Sequence, residues 1–189
     1  MAAPDFVPEL PELPDEVEGV SCTVPDLSRE AVSPWAWHPS RRLLRALRLY
    51  DVARQRGGPV GAALRRYAIA EHRFWSAVTG ADIPLGTRLG FGLLMPHPNG
   101  IVLHPDIAMG PNCLIMQQVT IGTSKRGGGV PRLEGHVDVG AGAKILGEVT
   151  IGRHASIGAN AVVLNDIPPG AVAVGIPARV VSSRLGRVE

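Results

Sequence analysis

An aliphatic or similar residue recurs every six positions along much of this chain. The beat falls at Ile83, Leu89, Met95, Ile101, Ile107, Cys113 and Val119. After a break it resumes at Val139, Ile145, Ile151, Ile157 and Val163. A hexapeptide period is the mark of a parallel β-helix, in which each hexad supplies one short strand and one turn and stacks on its counterpart in the next coil. Small residues follow several beat positions, as in Val139-Gly140, Ile151-Gly152 and Ile157-Gly158, where the chain must bend tightly. Seven hexads up to residue 124 and five over 139–168, taken three to a coil, predict about four coils. Val119 and Val139 are twenty residues apart, which is not a multiple of six, so the intervening stretch 120–138 reads as an excursion from the coil. Its centre is Ser124-Lys-Arg-Gly-Gly-Gly-Val-Pro-Arg132. Loops ejected from a repeat scaffold tend to sit on its functional face.

The rest of the chain divides in two. Residues 1–33 are rich in proline and acids, as in Pro8-Glu-Leu-Pro-Glu-Leu-Pro14. Proline removes backbone donors and like charges repel, so this segment reads as a disordered tail. Residues 34–80 read as helical. Ser40 is a candidate N-cap for a helix to Arg56, with Leu43, Leu44, Leu47 and Tyr50 on one face. Gly57-Gly58 stops it and Pro59 suits the first turn of a second helix reaching about Val78. There Leu64, Tyr67, Ala68, Glu71 and Trp75 share helical spacing, and Trp75 reads as a packing residue beneath the solenoid. The β-helix then occupies 81–189, with Ala173–Val181 as a final extended segment.

Composition narrows the function classes. No stretch approaches the roughly 20 apolar residues of a membrane span, and the start of the chain has no basic region followed by an apolar core, so neither membrane nor signal peptide is expected. Two cysteines, Cys22 and Cys113, make no disulfide framework, and Cys113 sits on the beat as a small core residue. A cytoplasmic setting follows. Residues 1–30 hold eight acids against Arg29 alone, while the remainder is net basic. Arg41, Arg42, Arg45 and Arg48 lie on the first helix without interleaved aromatics, which fits a solvated face or an oligomer contact better than a nucleic-acid surface.

Since the interior of a solenoid is closed and aliphatic, chemistry must occur on its outside. His97 lies in Met-Pro-His-Pro-Asn-Gly, where flanking prolines hold the backbone extended. A histidine so placed can serve as a general base near neutral pH if something orients its other ring nitrogen, and it can equally be a plain surface histidine. Asp82, fifteen residues earlier, belongs to the adjacent coil near the same corner, a spacing that permits an Asp–His pair. His104, His136 and His154 are weaker candidates, and no familiar metal-ligand spacing is present. Gly140-Ala-Gly-Ala143 and Gly158-Ala-Asn-Ala161 are eighteen residues apart and stack in consecutive coils. Tight corners alone can require such residues, but a smooth groove of exposed amides can also receive an extended ligand, with Lys144, Arg153 and Arg179 near enough to meet phosphates.

Five stretches together resemble the bacterial serine acetyltransferases. They are Asp82-Ile83, His97 with Asn99-Gly-Ile-Val102, Gln118-Val-Thr-Ile-Gly122, Gly140-Ala-Gly-Ala-Lys-Ile-Leu-Gly147, and Ile157-Gly-Ala-Asn-Ala-Val-Val-Leu164 closing with Gly175-Ile-Pro-Ala-Arg179. The resemblance covers about residues 64–182. It implies a left-handed parallel β-helix, a homotrimer with active sites between neighbouring subunits, and pairing of two trimers through the helices as a further option. It also implies acetyl transfer from acetyl-CoA to the hydroxyl of L-serine, giving O-acetylserine for cysteine synthesis, without a metal. By the same resemblance His97 is the catalytic base and Asp82 its orienting partner, the backbone of Ala141 and Ala159 borders the CoA arm, and Gly122 lies near the thioester; Arg179 is counted with the cofactor-binding residues as a cation near enough to meet the CoA phosphates. Two departures fall on the acceptor side. Pro96 stands where the family has an Asp before the histidine, and Gly129-Val130 stand where it has an Arg-His pair before Pro131. Another acceptor, a sugar or specialised metabolite taking the acetyl group on oxygen or nitrogen, is the alternative. Family members also dock an Ile-terminated tail into cysteine synthase. This sequence ends Leu185-Gly-Arg-Val-Glu189, and a terminal carboxylate side chain is ill suited to an apolar pocket, so no stable cysteine synthase complex through this tail is expected.

Overall fold

The computed structural model describes residues 14–33, 35–124 and 128–184. Two helices, α1 (Pro39–Arg56) and α2 (Gly58–Thr79), precede a β-helix built of two- to five-residue strands. In chain order these are β3 (Arg88–Leu89), β4 (Val102–Leu103), β5 (Ala108–Met109), β6 (Leu114–Ile115), β7 (Thr120–Gly122), β8 (Arg132–Leu133) and β9 (Asp138–Val139). They continue with β10 (Lys144–Leu146), β11 (Thr150–Ile151), β12 (Ser156–Ile157), β13 (Val162–Val163), β14 (Ala171–Val174) and β15 (Arg179–Ser183). A hairpin of β1 (Glu16–Val17) and β2 (Val20–Ser21) lies ahead of the helices.

The strands stack into three parallel sheets, ordered β13-β10-β7-β4, β11-β8-β5-β3 and β15-β14-β12-β9-β6, which are the faces of a left-handed parallel β-helix. Only β15 runs antiparallel, folding back on β14 to close the last coil. Each hexad buries two residues, at alternate positions, because neighbouring side chains of a strand point to opposite faces. Ile101 with Leu103, Cys113 with Ile115, Val119 with Ile121, and Ala143 with Ile145 are such pairs. The interior is therefore a continuous column of Ile, Val, Leu and Ala with a few sulfur-bearing residues. Cys113 belongs to it, and burial pushes its thiol up to about 12. Both cysteines are free and buried.

Five coils form rather than four. Bridges at Asp82, Leu94 and Ile167 supply rungs too short to be strands, while β8 and β14 are full rungs within stretches that read as excursion and final extension. The phase slip also lies elsewhere than expected. Asp82 pairs with Val102, twenty residues on, so two extra residues enter the first coil at the Pro96–Gly100 corner. Ala108 pairs with Arg132, twenty-four residues on, so the excursion adds a whole hexad and leaves the phase unchanged. The six-residue beat crosses the first corner unbroken only because it passes from one inward position of the pair to the other.

The helices also depart from expectation in detail. Pro39 opens α1 after His38 with no side-chain cap, so Ser40 is not the N-cap. Leu43, Leu44 and Leu47 are buried against the solenoid together with Trp75, whereas Tyr67 faces outward. The α1 arginines are tethers within the chain. Arg45 pairs with Glu71 of α2 at 3.0 Å, Arg48 pairs with Glu30 at 2.8 Å, and Arg41 donates to the Ala31 carbonyl.

Residues 14–33 are not a disordered tail. They run as a strap along one edge of the β-helix, held by polar groups far away in sequence. The buried Asn112 donates to the carbonyls of Ser21 and Val24 and accepts from the Asp26 amide, each at 2.8 Å. Arg29 donates to the Asn112 carbonyl and Arg184 pairs with Glu18. Gly135 sits so close under Cys22 that a Cβ would overlap its carbonyl. Residues 1–13 of the expected tail, the 125–127 part of the excursion, and residues 185–189, on which the cysteine synthase expectation rests, lie outside the described residues. Among the described residues no helix is long and apolar enough to cross a membrane.

Candidate active site

The corner that leads from the β6-β9-β12 face into the β4-β7-β10-β13 face carries most of the residues singled out in the sequence. Its five turns are Pro96–Gly100, Met116–Gln118, Gly140–Gly142, Gly158–Asn160 and Val174–Pro177, one above another. Backbone bonds tie successive turns: Gln118 N–H to the Asn99 carbonyl, Gly142 N–H to Gln117, Asn160 N–H to Ala141, and Val162 N–H to Gly175, at 2.8 to 3.0 Å. The turns are tight enough to need the left-handed backbone region. Gln118 and Asn160 have φ near +60°, and at Gly142 (φ +75°) any Cβ would strike the Asn160 side chain.

His97 stands exposed in the first of these turns. Asp82 heads the adjoining face one coil earlier, with its amide bonded to the Ile101 carbonyl and its own carbonyl receiving the Leu103 amide. Its carboxylate is therefore directed outward on the rung beside Val102. Among the described residues neither the His97 imidazole nor the Asp82 carboxylate makes a hydrogen bond or ion pair, so both keep their polar atoms for solvent or ligand. Catalytic hydrogen bonds are often loose without substrate and tighten in the complex.

Ala141 and Ala159 lie on this same corner, two and three turns beyond His97. Arg179 follows at its far end, exposed, donating to the Ala178 carbonyl at 3.0 Å. Lys144 heads β10 next to the same corner, with its ammonium 2.6 Å from the Gln118 carbonyl and 3.1 Å from the Thr120 hydroxyl. The result is a smooth ridge of backbone with cations along its length, suited to an extended anionic ligand. Gly122 is set apart. It closes β7 at the opposite end of that face, buried, with His104 of the preceding coil alongside. His104 accepts from the Asp106 amide at Nδ1 and was not picked out with Gly122 from the sequence, although the two sit eighteen residues apart and so one coil apart.

Two other histidines are structural. His136 and His154 are buried at stacked corners under the strap, with Nδ1 atoms 2.8 Å apart. His154 Nε2 lies 3.0 Å from the Pro14 carbonyl. A carbonyl only accepts, so His154 carries its proton on Nε2 and receives the Nδ1 proton of His136. Burial holds both imidazoles below their usual value. No group of three or more His, Cys, Asp or Glu among the described residues could hold a metal ion.

Comparison with known proteins bears on this corner. No protein-family model matches the chain. A curated serine acetyltransferase from Synechococcus elongatus is 46% identical over 114 residues, which are 59% of this chain and 47% of that protein. The chain is similar to the serine acetyltransferases. Among solved structures, soybean serine acetyltransferase complexed with serine is 35% identical with a TM-score of 0.65, covering 77% of this chain and 58% of that one. The Brucella abortus serine acetyltransferase in complex with coenzyme A is 28% identical with a TM-score of 0.67, covering 78% and 57%. The chain spans about half the length of the curated relatives it matches.

Proposed function

We propose that this protein transfers acetyl from acetyl-CoA to the hydroxyl of L-serine at the His97 corner. The observation that carries the reading is the alignment of His97, Ala141, Ala159 and Arg179 along one edge, with Asp82 on the rung beside it. The names of the relatives, one of them bound to serine and one to coenzyme A, support it. A serine hydroxyl is almost wholly protonated at neutral pH and needs a base. His97 takes that proton as the oxygen attacks the thioester carbonyl. Asp82 fixes the imidazole tautomer and offsets the imidazolium charge that develops. Backbone amides meet the oxyanion, and the departing thiolate of CoA receives the proton held by His97. No covalent enzyme intermediate and no metal enters this scheme. The cytoplasmic setting belongs to the same proposal.

The assembly proposed with it is a homotrimer, the helices pairing two trimers. Trp35, Trp37, Tyr67 and Phe74 are at least half exposed on the helical side, and Val102 and Leu164 are exposed on the β4-β7-β10-β13 face. Apolar surface of this kind on one molecule favours self-association.

A second acceptor remains a live reading because of the excursion. Val130 packs against the core and Gly129 lies over the Glu148 side chain, so neither offers a cation to an amino-acid carboxylate. Thiol release from acetyl-CoA, measured across amino acids, amines and sugars, decides between the two. The proposal expects L-serine to be the best acceptor, and a clear preference for a sugar or amine would replace it.

A further inference from the structure

Away from the His97 corner, a cleft of about 940 Å³ opens between α1 and the β11-β8-β5-β3 sheet. Its volume is that of a small-molecule site. The floor is made of outward positions on strands held in register, with Arg88, Ala108 and Arg132 side by side on β3, β5 and β8. Gly90 and Gly110 follow on the same side, and these small residues are what leaves the cleft open. Arg54 projects from α1 on the facing wall, with Nη1 close to Gly86.

The charges of this cleft do not balance. The guanidinium groups of Arg54 and Arg132 make no hydrogen bond or ion pair among the described residues, and that of Arg88 makes one bond, to the Asp106 carbonyl at 3.2 Å. Of the acids nearby, Glu134 accepts from the Arg153 amide, and Glu30 is bound by Arg48. Asp51 and Glu134, the latter bonded only to a neutral amide, are left as two negative charges facing three guanidinium groups. Arginines spread over a solvated surface need no partner, but these three come from three different elements and converge on one concavity. Strands about 4.8 Å apart put Arg88 and Arg132 roughly 10 Å from each other at the backbone. Long side chains can close that gap around two phosphoryl groups, each taking a forked pair of bonds. Beside them lies an apolar wall of Val52 and Phe91. The ring of Phe91 is half exposed and braced by Arg48, whose guanidinium carbon lies 4.3 Å from its centre.

We infer that this cleft is a second ligand site, specific for an organic anion bearing two phosphoryl groups and a planar or apolar body, of the nucleoside diphosphate class. It lies on the face that does not border the His97 corner, so its occupation does not compete with the acetyl-transfer site. The test is calorimetric titration of the full chain with ADP and, separately, with inorganic pyrophosphate. Saturable binding with a Kd below about 1 mM is expected for ADP. Arg88→Gln with Arg132→Gln should weaken both probes about tenfold or more, the scale of one lost charge-assisted contact or two. Phe91→Ala should weaken ADP and leave pyrophosphate unchanged. Circular dichroism and acetyl transfer should stay at wild-type level in all of these. Arg54→Gln, on a helix surface, gives a second reading should the double variant fold poorly. Absence of saturable heat with both probes, or ADP binding as tight in the folded arginine variants as in wild type, would overturn the assignment.

Discussion

His97 is displayed by an irregularity. Two extra residues at Pro96–Gly100 push the turn outward, and prolines on both sides keep the imidazole from folding back onto the coil. The side chain was legible in the sequence because prolines flank it on an otherwise aliphatic repeat, whereas the two extra residues were hidden by a beat that runs through the corner unbroken. Asp82 was legible only as a spacing, since nothing local to it marks a partner. If His97 is the base, His97→Ala lowers kcat by about 10²–10⁴-fold without unfolding the coil. Asp82→Asn costs less, because orientation changes while the base remains; a larger loss from Asp82→Asn than from His97→Ala would reverse the assigned roles. Core residues are measured differently. Ile121 and Ile145 are fully buried and stacked in register on β7 and β10. Replacing either with Ala removes packing on both neighbouring coils and should cost about 2–5 kcal/mol in denaturant unfolding. A cost near zero would show that the column does not depend on close packing between coils.

At the scale of elements, the hexad strands were the easiest part to read, since each carries its own inward residues. The strap was misread because its composition is that of an unstructured segment. Its order comes from partners some ninety residues away, Asn112 above all, and from His154 and Arg184 further on. Asn112→Ala removes three such bonds and leaves buried groups unsatisfied, so we expect a loss of about 2–3 kcal/mol, with faster proteolysis within residues 14–33. The strap should also respond to pH. His136 and His154 face Asp138, Arg184, Arg153, Arg29 and Asp15, and burial outweighs the acids in holding both below the usual imidazole value. The unfolded chain therefore takes up more protons than the folded one as pH falls below about 6.5, and stability declines on that acid side. Protonating His154 at Nδ1 would also set two donors against each other. The thermal midpoint should drop from pH 7.5 to pH 5.5 more steeply in wild type than in a His136→Gln, His154→Gln variant. Equal slopes would remove the pair from the explanation.

For the whole molecule, the closed interior leaves only the surface for function, and that surface is uneven. Six of the eight aromatic residues lie on the two helices or just ahead of them, where Trp37 and Phe74 both meet the buried Trp75 edge-on. Aromatic clusters of this kind are typical centres of protein interfaces. If the helices pair two trimers as proposed, Tyr67→Glu with Phe74→Glu should halve the mass of the assembly in sedimentation, from paired trimers to single ones. An unchanged mass would place the contact elsewhere. Sequence could name these aromatics but not their exposure, because the face that a helix turns outward depends on the coil it packs against. The central claim is that acetyl transfer occurs at the His97 corner, and it is tested most directly by following free thiol from acetyl-CoA with L-serine as acceptor, for wild type and His97→Ala at equal assembly mass. Serine-dependent thiol release that falls at least a hundredfold in the variant is the predicted result. No serine-dependent release by the wild type, or release undiminished in His97→Ala, would contradict it.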